Sequence, residues 1–531
     1  PEKKVSLHPG SEQNVVPLNI FPSKRPRMNA PIGYAWLQQH LQAPDFLGEQ
    51  RARLAPVQRL ERLPGGTLLV PARLAPAPDA LAHALFAIKH EGVRLDYLAA
   101  ALRQVPAQAM LDLVARTPNG GYVRRLGLLW EQFNGQPIDG LGAGPQVSAA
   151  YVPLFDPRTH LVGPSRRNAR WRVDVNGLGD WGFCPLVRRT PALQAALDAQ
   201  VLARARAFAD SVGPQMLERA LSWAYLSETE GSFAIERETP PQDKAALFVG
   251  LLQRAHDRQP LTEDYLVALQ NAAVTNPLDR AVQFRTEQNR LQDSRLGAAG
   301  VTYVPPPPEL AAELMAHLMA LANQRPAPLD ALAHAALVSF AFVFIHPFMD
   351  GNGRLSRFLT HHGLGQAEAL PRGFLLPVSV AMKRHEADYL AALQAFSRPA
   401  RALCQVLWAG DDDYTFDWAA GADTWFRYMD VTEGVRFTLE MALAALETHL
   451  QGEVAFLALF DEVRRHIEAR HDLRGSDLAT LIVTIWQNGG VLSANRRKRF
   501  AERVQGHVLD AIEAAVQRRM RGQPLTDDDD D

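Results

Sequence analysis

From Ala333 to Ile345 the chain is almost unbroken in apolar side chains, and the run ends on His346-Pro347. It is too long for a typical strand and too short, with His334 inside it, to span a membrane. It predicts a buried helix. Pro347 takes the backbone out of helical geometry just after the histidine. Asp350, Gly351, Asn352 and Gly353 then mark a tight loop. A second helix is predicted to start near Gly353 and run towards His362.

The residues between these helices have complementary chemistry. Gly351 and Gly353 permit backbone conformations that bring several N–H groups to one point. The start of the second helix adds orphan N–H donors and a positive dipole end, a seat for phosphate. Arg354 and Arg357 are three apart and share a helical face, and two guanidinium forks suit adjacent phosphates. Asp350 is a hard oxygen ligand of the kind Mg2+ accepts when phosphates supply other ligands. His346 has an intrinsic pKa near neutrality, as a general base requires. Phe348 has no polar role and is expected to anchor the loop in the core. A single histidine after an apolar helix is usually structural, and a single Gly-Asn-Gly is usually a turn. The joint order, in which each element completes the next, points to a site.

The string His346-Pro347-Phe348-Met349-Asp350-Gly351-Asn352-Gly353-Arg354-Leu355-Ser356-Arg357 is similar to the signature of the Fic family, His-x-Phe-x-Asp/Glu-Gly-Asn-Gly-Arg-x-x-Arg, with every fixed position filled. Tyr303 to Pro308 resembles the proline run before the family's core helices. Phe284-Arg285-Thr286-Glu287-Gln288-Asn289 resembles the start of its flap, a β-hairpin that overhangs the site. The resemblance covers roughly residues 215 to 395. It implies a mainly α fold, a helical bundle with that short hairpin. It also implies transfer of AMP from ATP to a hydroxyl side chain of a target protein, with pyrophosphate released. His346 would be the general base, Asp350 the Mg2+ ligand, and Gly351, Asn352 and Gly353 the anion hole. Arg354 and Arg357 would hold the outer phosphates, and flap residues Arg285, Thr286, Glu287, Gln288 and Asn289 would border the target. The flap departs from the family at Arg290-Leu291 and Gln292-Asp293, where an apolar pair and a Gly pair are common.

Upstream, Ser232-Phe233-Ala234-Ile235-Glu236-Arg237 resembles the family's inhibitory helix, Ser/Thr-x-x-x-Glu-Gly/Asn. The resemblance implies that Glu236 pairs with Arg357 and takes the place of the terminal phosphate. Arg237 stands where Gly or Asn is usual, and Arg does not readily take a left-handed helix end. Tyr389 falls where the family often has an aromatic near adenine, although core packing is the simpler role. The phosphate loop does not read the base, so UMP or phosphocholine transfer is an alternative, as is removal of AMP. A DNA- or protein-binding regulator is the reading from another class. Homodimers are common in the family.

At 531 residues the chain is too long for one core. The expected divisions are 1–190, an N-terminal, mostly helical region with a β-arm; 191–400, the Fic-like core; and 401–531, a C-terminal helical region. Net charge is −2, so bulk attraction to nucleic acid or an anionic membrane is not implied. Cys184 and Cys404 are the only cysteines, which excludes a disulfide framework and a cysteine-rich zinc site. With no apolar stretch long enough for a bilayer, no membrane partner and a cytoplasmic location are expected.

Residues 1 to about 30 read as an extended arm and Asp527–Asp531 as an acidic tail. Helices are predicted at 81–89, 95–103, 108–116 and 122–133. They suit either a helix-turn-helix-like module or a packing or dimerisation domain, and they lack a dense basic face for DNA. Trp171, Val173 and Val175 alternate with polar residues before Asn176-Gly177, which predicts a projecting β-hairpin. Gly177 to Gly182 matches the dinucleotide spacing, but no βαβ unit flanks it. Past about 400, helices are predicted at 424–452, 454–470, 476–487 and 498–521. Arg496 to Arg499 is a basic helix start, read as a solvated face.

Overall fold

The computed structural model describes residues 28–141, 145, 147–326, 328–411 and 413–525. The expected N-terminal arm lies, except for its last residues, outside the described residues, as does the acidic tail. The central apolar run is the helix Ala331–Ile345, capped by Asp330, whose carboxylate accepts from the Leu332 and Ala333 N–H groups. All its residues except Val343 are buried, as expected of a helix without a polar face. It packs against helices Pro308–Asn323, Asn352–Gln366 and Thr432–Ala444. Two glycines allow the close approach. A methyl on Gly363 would come within 2.8 Å of the Ala335 Cβ, and one on Gly434 within 2.3 Å of the Phe340 ring.

The long helix Pro214–Ile235 packs chiefly against Val378–Arg384, Gln451–Glu468 and Gln242–Arg254, and touches Asn352–Gln366. Its buried Glu228 accepts from the Ser379 N–H at 2.7 Å and Ser379 Oγ at 2.6 Å, and meets His361 Nε2 at 2.8 Å. These bonds tie the C-terminal half of the helix both to Val378–Arg384 and, through His361, to the helix that follows the signature loop. The apolar core is continuous from Tyr34 to Leu450, across residues 190 and 400. A separate cluster, Leu459 to Val516, is built from helices Gln451–Glu468, Gly475–Gln487, Ala494–Phe500 and Gly506–Met520 and from Leu492 and Val504 in the turns between them.

The predicted N-terminal helices form, at Ala80–His90, Leu95–Leu102, Ala107–Arg116 and Gly121–Asn134. Ahead of them stands a small sheet that the sequence reading omitted. Pro31–Ile32 runs antiparallel to Ala52–Leu54, which runs parallel to Leu68–Val70, which pairs antiparallel with Glu61–Arg62.

The projecting β-arm is corrected. Arg166–Asn168 and Val173–Val175 do form an antiparallel pair, but the chain turns at 169–172, and Val152–Pro153 adds a third strand. Trp171 is fully buried beside Gly127, where a methyl would meet the ring at 2.2 Å. Asn176 is no turn residue: its buried amide bonds both the Phe155 N–H and the Phe155 carbonyl. The area of the indole draws the hairpin inward, because burying an aromatic outweighs exposing a short ribbon.

The C-terminal region is helical as expected, with one hairpin that local pattern did not reveal. Cys404–Gly410 and Asp413–Trp418 form an antiparallel hairpin. The single helix expected over 424–452 is broken: Asp423–Arg427 and Thr432–Ala444 are separated by Asp430, which caps Thr432 and pairs with Arg188 at 2.7 Å. The later helix does not end at Gly452; a wide turn at Ala445–Leu450 continues into Gln451–Glu468. The helix expected over 498–521 is two, Ala494–Phe500 and Gly506–Met520. Both cysteines are free and buried. Among the described residues no helix is long and apolar enough to cross a membrane.

Candidate active site

His346 ends the central helix in the left-handed region, φ 55, and its N–H closes the last turn on the Phe342 carbonyl at 2.9 Å. The imidazole Nδ1 lies 3.2 Å from the Val343 carbonyl. A carbonyl only accepts, so Nδ1 carries the proton and Nε2 the lone pair. Burial pushes the His346 pKa down to about 4, and the nearby Arg285 charge adds to this against the Val343 carbonyl, Glu236 and Asp350. The ring is therefore neutral at pH 7, as a base must be.

The loop after it is closed by its own side chains. Asn352 Oδ1 accepts from the Phe348 N–H at 3.0 Å, and Asn352 Nδ2 donates to the Phe348 carbonyl at 2.8 Å. Both ends of the Asn352 amide are thus engaged inside the loop, which holds the bend that brings the backbone of Gly351, Asn352 and Gly353 together. Phe348 is buried against Phe284 and Phe342, as expected of an anchor. Gly351, φ 85, caps helix Asn352–Gln366. The first N–H groups of that helix have no partner within it, which makes its start an anion seat.

Both arginines are buried rather than on a solvated face. Arg357 Nε donates to Ser232 Oγ at 3.0 Å, and Nη2 donates to the Ser232 carbonyl and to Glu236 Oε1, each at 2.8 Å. A methyl placed on Gly353 would lie 2.2 Å from Glu236 Oε1, so this carboxylate sits over the helix start. Arg354 Nη1 donates to Glu238 Oε2 at 2.8 Å, and Nη2 lies 3.2 Å from Asp350 Oδ2. Glu238 was not singled out from the sequence. The available signal was a second carboxylate two residues past Glu236, but its direction depends on the turn between them.

That turn reverses one expectation. Arg237 takes φ 61, the left-handed conformation in which Gly or Asn is usual. Its N–H donates to the Ala234 carbonyl at 3.1 Å, and the Glu238 N–H donates to the Phe233 carbonyl at 3.1 Å. These two bonds are the Schellman closure of a helix end, here made with arginine at the strained position.

The segment read as the start of a flap is a brace for the loop. Arg285 Nε donates to the His346 carbonyl at 2.8 Å, Nη1 to the Glu287 carbonyl at 3.0 Å and Nη2 to the Pro306 carbonyl at 2.5 Å. Its buried guanidinium is pushed down to a pKa of about 10 by desolvation. Asn289 Nδ2 donates to the Phe348 and Met349 carbonyls, and Gln288 Nε2 to those of Asn289 and Pro305. Thr286 and Glu287 are exposed. Strand pairing begins only at Leu291–Gln292, against Val301–Tyr303. Tyr389 packs between Phe340 and Phe437 and borders Arg357, a core position.

Asp350 is about half exposed at the mouth of the loop, and no group of three metal-ligating side chains occurs among the described residues. One hard carboxylate beside an anion seat fits Mg2+ only if phosphate oxygens complete the shell.

Residues 260–364 match the family model "Fic/DOC family". The chain carries a Fic/DOC domain. The solved structures similar to it include a Fic family protein from Desulfovibrio desulfuricans G20, at 20% identity over 61% of this chain and 87% of that one, TM-score 0.36. Another is a Fic domain containing signaling protein from Bacteroides thetaiotaomicron VPI-5482, at 18% identity over 50% of this chain and 94% of that one, TM-score 0.35. No curated protein matches the chain.

Proposed function

We propose that the chain transfers AMP from ATP to a hydroxyl side chain of a protein, with Mg2+, and that Glu236 holds it in an inhibited state. The observation that carries this reading is the meeting of a neutral buried imidazole, a helix start and two buried arginines around one loop, with a carboxylate over the phosphate seat. His346 Nε2 takes the proton of the target hydroxyl. The freed oxygen bonds to the α-phosphorus as the bond to the bridging oxygen breaks, and pyrophosphate leaves. The N–H groups at the start of helix Asn352–Gln366 and the guanidinium groups of Arg354 and Arg357 hold the phosphates in line and stabilise their charge. When bound, Mg2+ on Asp350 would neutralise phosphate charge further. In the inhibited state Glu236 repels a terminal phosphate from Arg357.

The test is incubation of the full chain and of Glu236→Gly with ATP labelled at the α or γ position, with Mg2+. Label retained on protein from the α position alone, more with Glu236→Gly and none with His346→Ala, is expected. Retention from γ alone would refute AMP transfer. Labelling from UTP or a phosphocholine nucleotide in place of ATP would change the donor but keep the site chemistry.

A further inference from the structure

The end of helix Pro214–Ile235 presents two carboxylates to the signature helix, and each meets a different arginine. We propose that Glu238 is a second inhibitory carboxylate, seated on Arg354 as Glu236 is seated on Arg357, so that one turn closes both phosphate-binding arginines together. This rests on the reading of the loop as a nucleotide site.

Burial supplies the physical reason. The Arg354 side chain is 1% exposed, and a guanidinium so deeply placed requires an anion beside it. In the closed arrangement Glu238 and Asp350 are those anions. Glu238 is 33% exposed, so its carboxylate can return to water at low cost while Arg354 stays in place for a phosphate. Two buried donors, Arg354 Nε and Arg357 Nη1, have no hydrogen-bond partner among the described residues. Carboxylates from one short turn leave them unmet, whereas phosphate oxygens, more numerous, are the acceptors such donors suit.

Glu238 is also fixed from a second direction. Thr275 Oγ1 donates to the same oxygen, Glu238 Oε2, at 3.0 Å, and Thr275 follows helix Glu263–Ala273. The Arg237 turn points both carboxylates at the site: the Schellman bonds at Arg237 and Glu238 fold the chain back so that residues two apart reach arginines three apart. Removing Glu236 alone therefore leaves Arg354 occupied, and Glu236→Gly releases the site only in part.

The experiment is calorimetric titration of the full chain with ATP and Mg2+, and separately with adenosine, beside transfer of α-labelled AMP. Glu238→Gln keeps the side-chain shape and removes the charge. It is expected to tighten ATP about tenfold, the size of one charge-assisted bond discounted for its partly exposed partner. Adenosine, which has no phosphates, binds unchanged. The double variant Glu236→Gly with Glu238→Gln binds ATP about tenfold more tightly than Glu236→Gly alone, a difference again set by one such bond. Thr275→Val, a second handle that leaves both carboxylates intact, tightens ATP by a smaller factor. An ATP affinity in Glu238→Gln equal to or weaker than that of the parent, with the double variant matching Glu236→Gly, overturns the second lock. Tighter ATP binding with no α-label transferred by any variant upholds the lock and overturns the AMP-transfer reading instead.

Discussion

Arg237→Gly should make the chain less active and slightly more stable, although it deletes an exposed cation next to Glu236 and Glu238. Arg237 sits at φ 61, where an L side chain crowds the following carbonyl at a cost of about 1–2 kcal/mol. Glycine removes that cost but loses about 0.5–1 kcal/mol more backbone entropy when the turn forms. The net gain for the closed turn is about 1 kcal/mol, roughly fivefold in the ratio of closed to open states. The arginine side chain is exposed and its only resolved influence is a weak one on the exposed Glu386, so its loss subtracts little. The assay is the basal rate of α-label transfer, paired with thermal unfolding. A rate about fivefold lower with a modestly raised Tm is expected. In Glu236→Gly/Glu238→Gln, where the turn no longer closes the site, the same change should leave the rate alone. A higher basal rate in Arg237→Gly would show that the charge of Arg237, not its backbone, sets the inhibition, and the argument from strain would fall.

Four further outcomes follow from the same structure. Because burial holds His346 at a pKa of about 4, the acid limb of the activity profile of Glu236→Gly should fall near pH 4 and not near 6.5; a midpoint near 6.5 contradicts the buried base. The sign for stability runs the same way for His334 and His346. Each binds its proton less readily folded than unfolded, so stability is full well above the unfolded pKa of 6.5 and falls as pH drops towards 4, by about 1.4 kcal/mol per residue at pH 5.5 in denaturant titrations. Arg285→Met strips donors from the His346, Glu287 and Pro306 carbonyls and should cost about 1–3 kcal/mol per buried orphan, with kcat falling alongside Tm; an unchanged melt rules out the brace. Gly434→Ala drives a methyl to 2.3 Å from the Phe340 ring and should lose about 1–3 kcal/mol by overpacking, read as a lower Tm.

What could be read in advance was what lies close along the chain. The central helix, the bend at His346-Pro347 and the new helix at Asn352 are each set by neighbours within a few residues: an apolar run, a proline and a glycine pair. What escaped was set by distant partners. Strands of two or three residues, such as Pro31–Ile32 and Glu61–Arg62, are too short to carry a period, and they exist because other segments supply their hydrogen bonds. Asn176-Gly177 is a sound turn signal, yet local preference does not decide the matter: Phe155 claims the Asn176 amide from a segment 21 residues away.

Glu238 is the sharpest instance. Its letter was in view, but its role hinges on a left-handed arginine, a conformation that propensity alone argues against. The strain is tolerated because the turn it permits satisfies helix-end carbonyls and pairs two buried guanidinium groups with carboxylates. Two ion pairs of that kind outweigh about 1–2 kcal/mol of backbone strain. Opening the turn releases the strain but leaves Arg357 without its carboxylate and Arg354 with Asp350 alone, so a ligand that replaces both contacts must itself bring at least two anionic groups to the start of helix Asn352–Gln366. A triphosphate meets that condition; a single phosphate or a bare nucleoside does not.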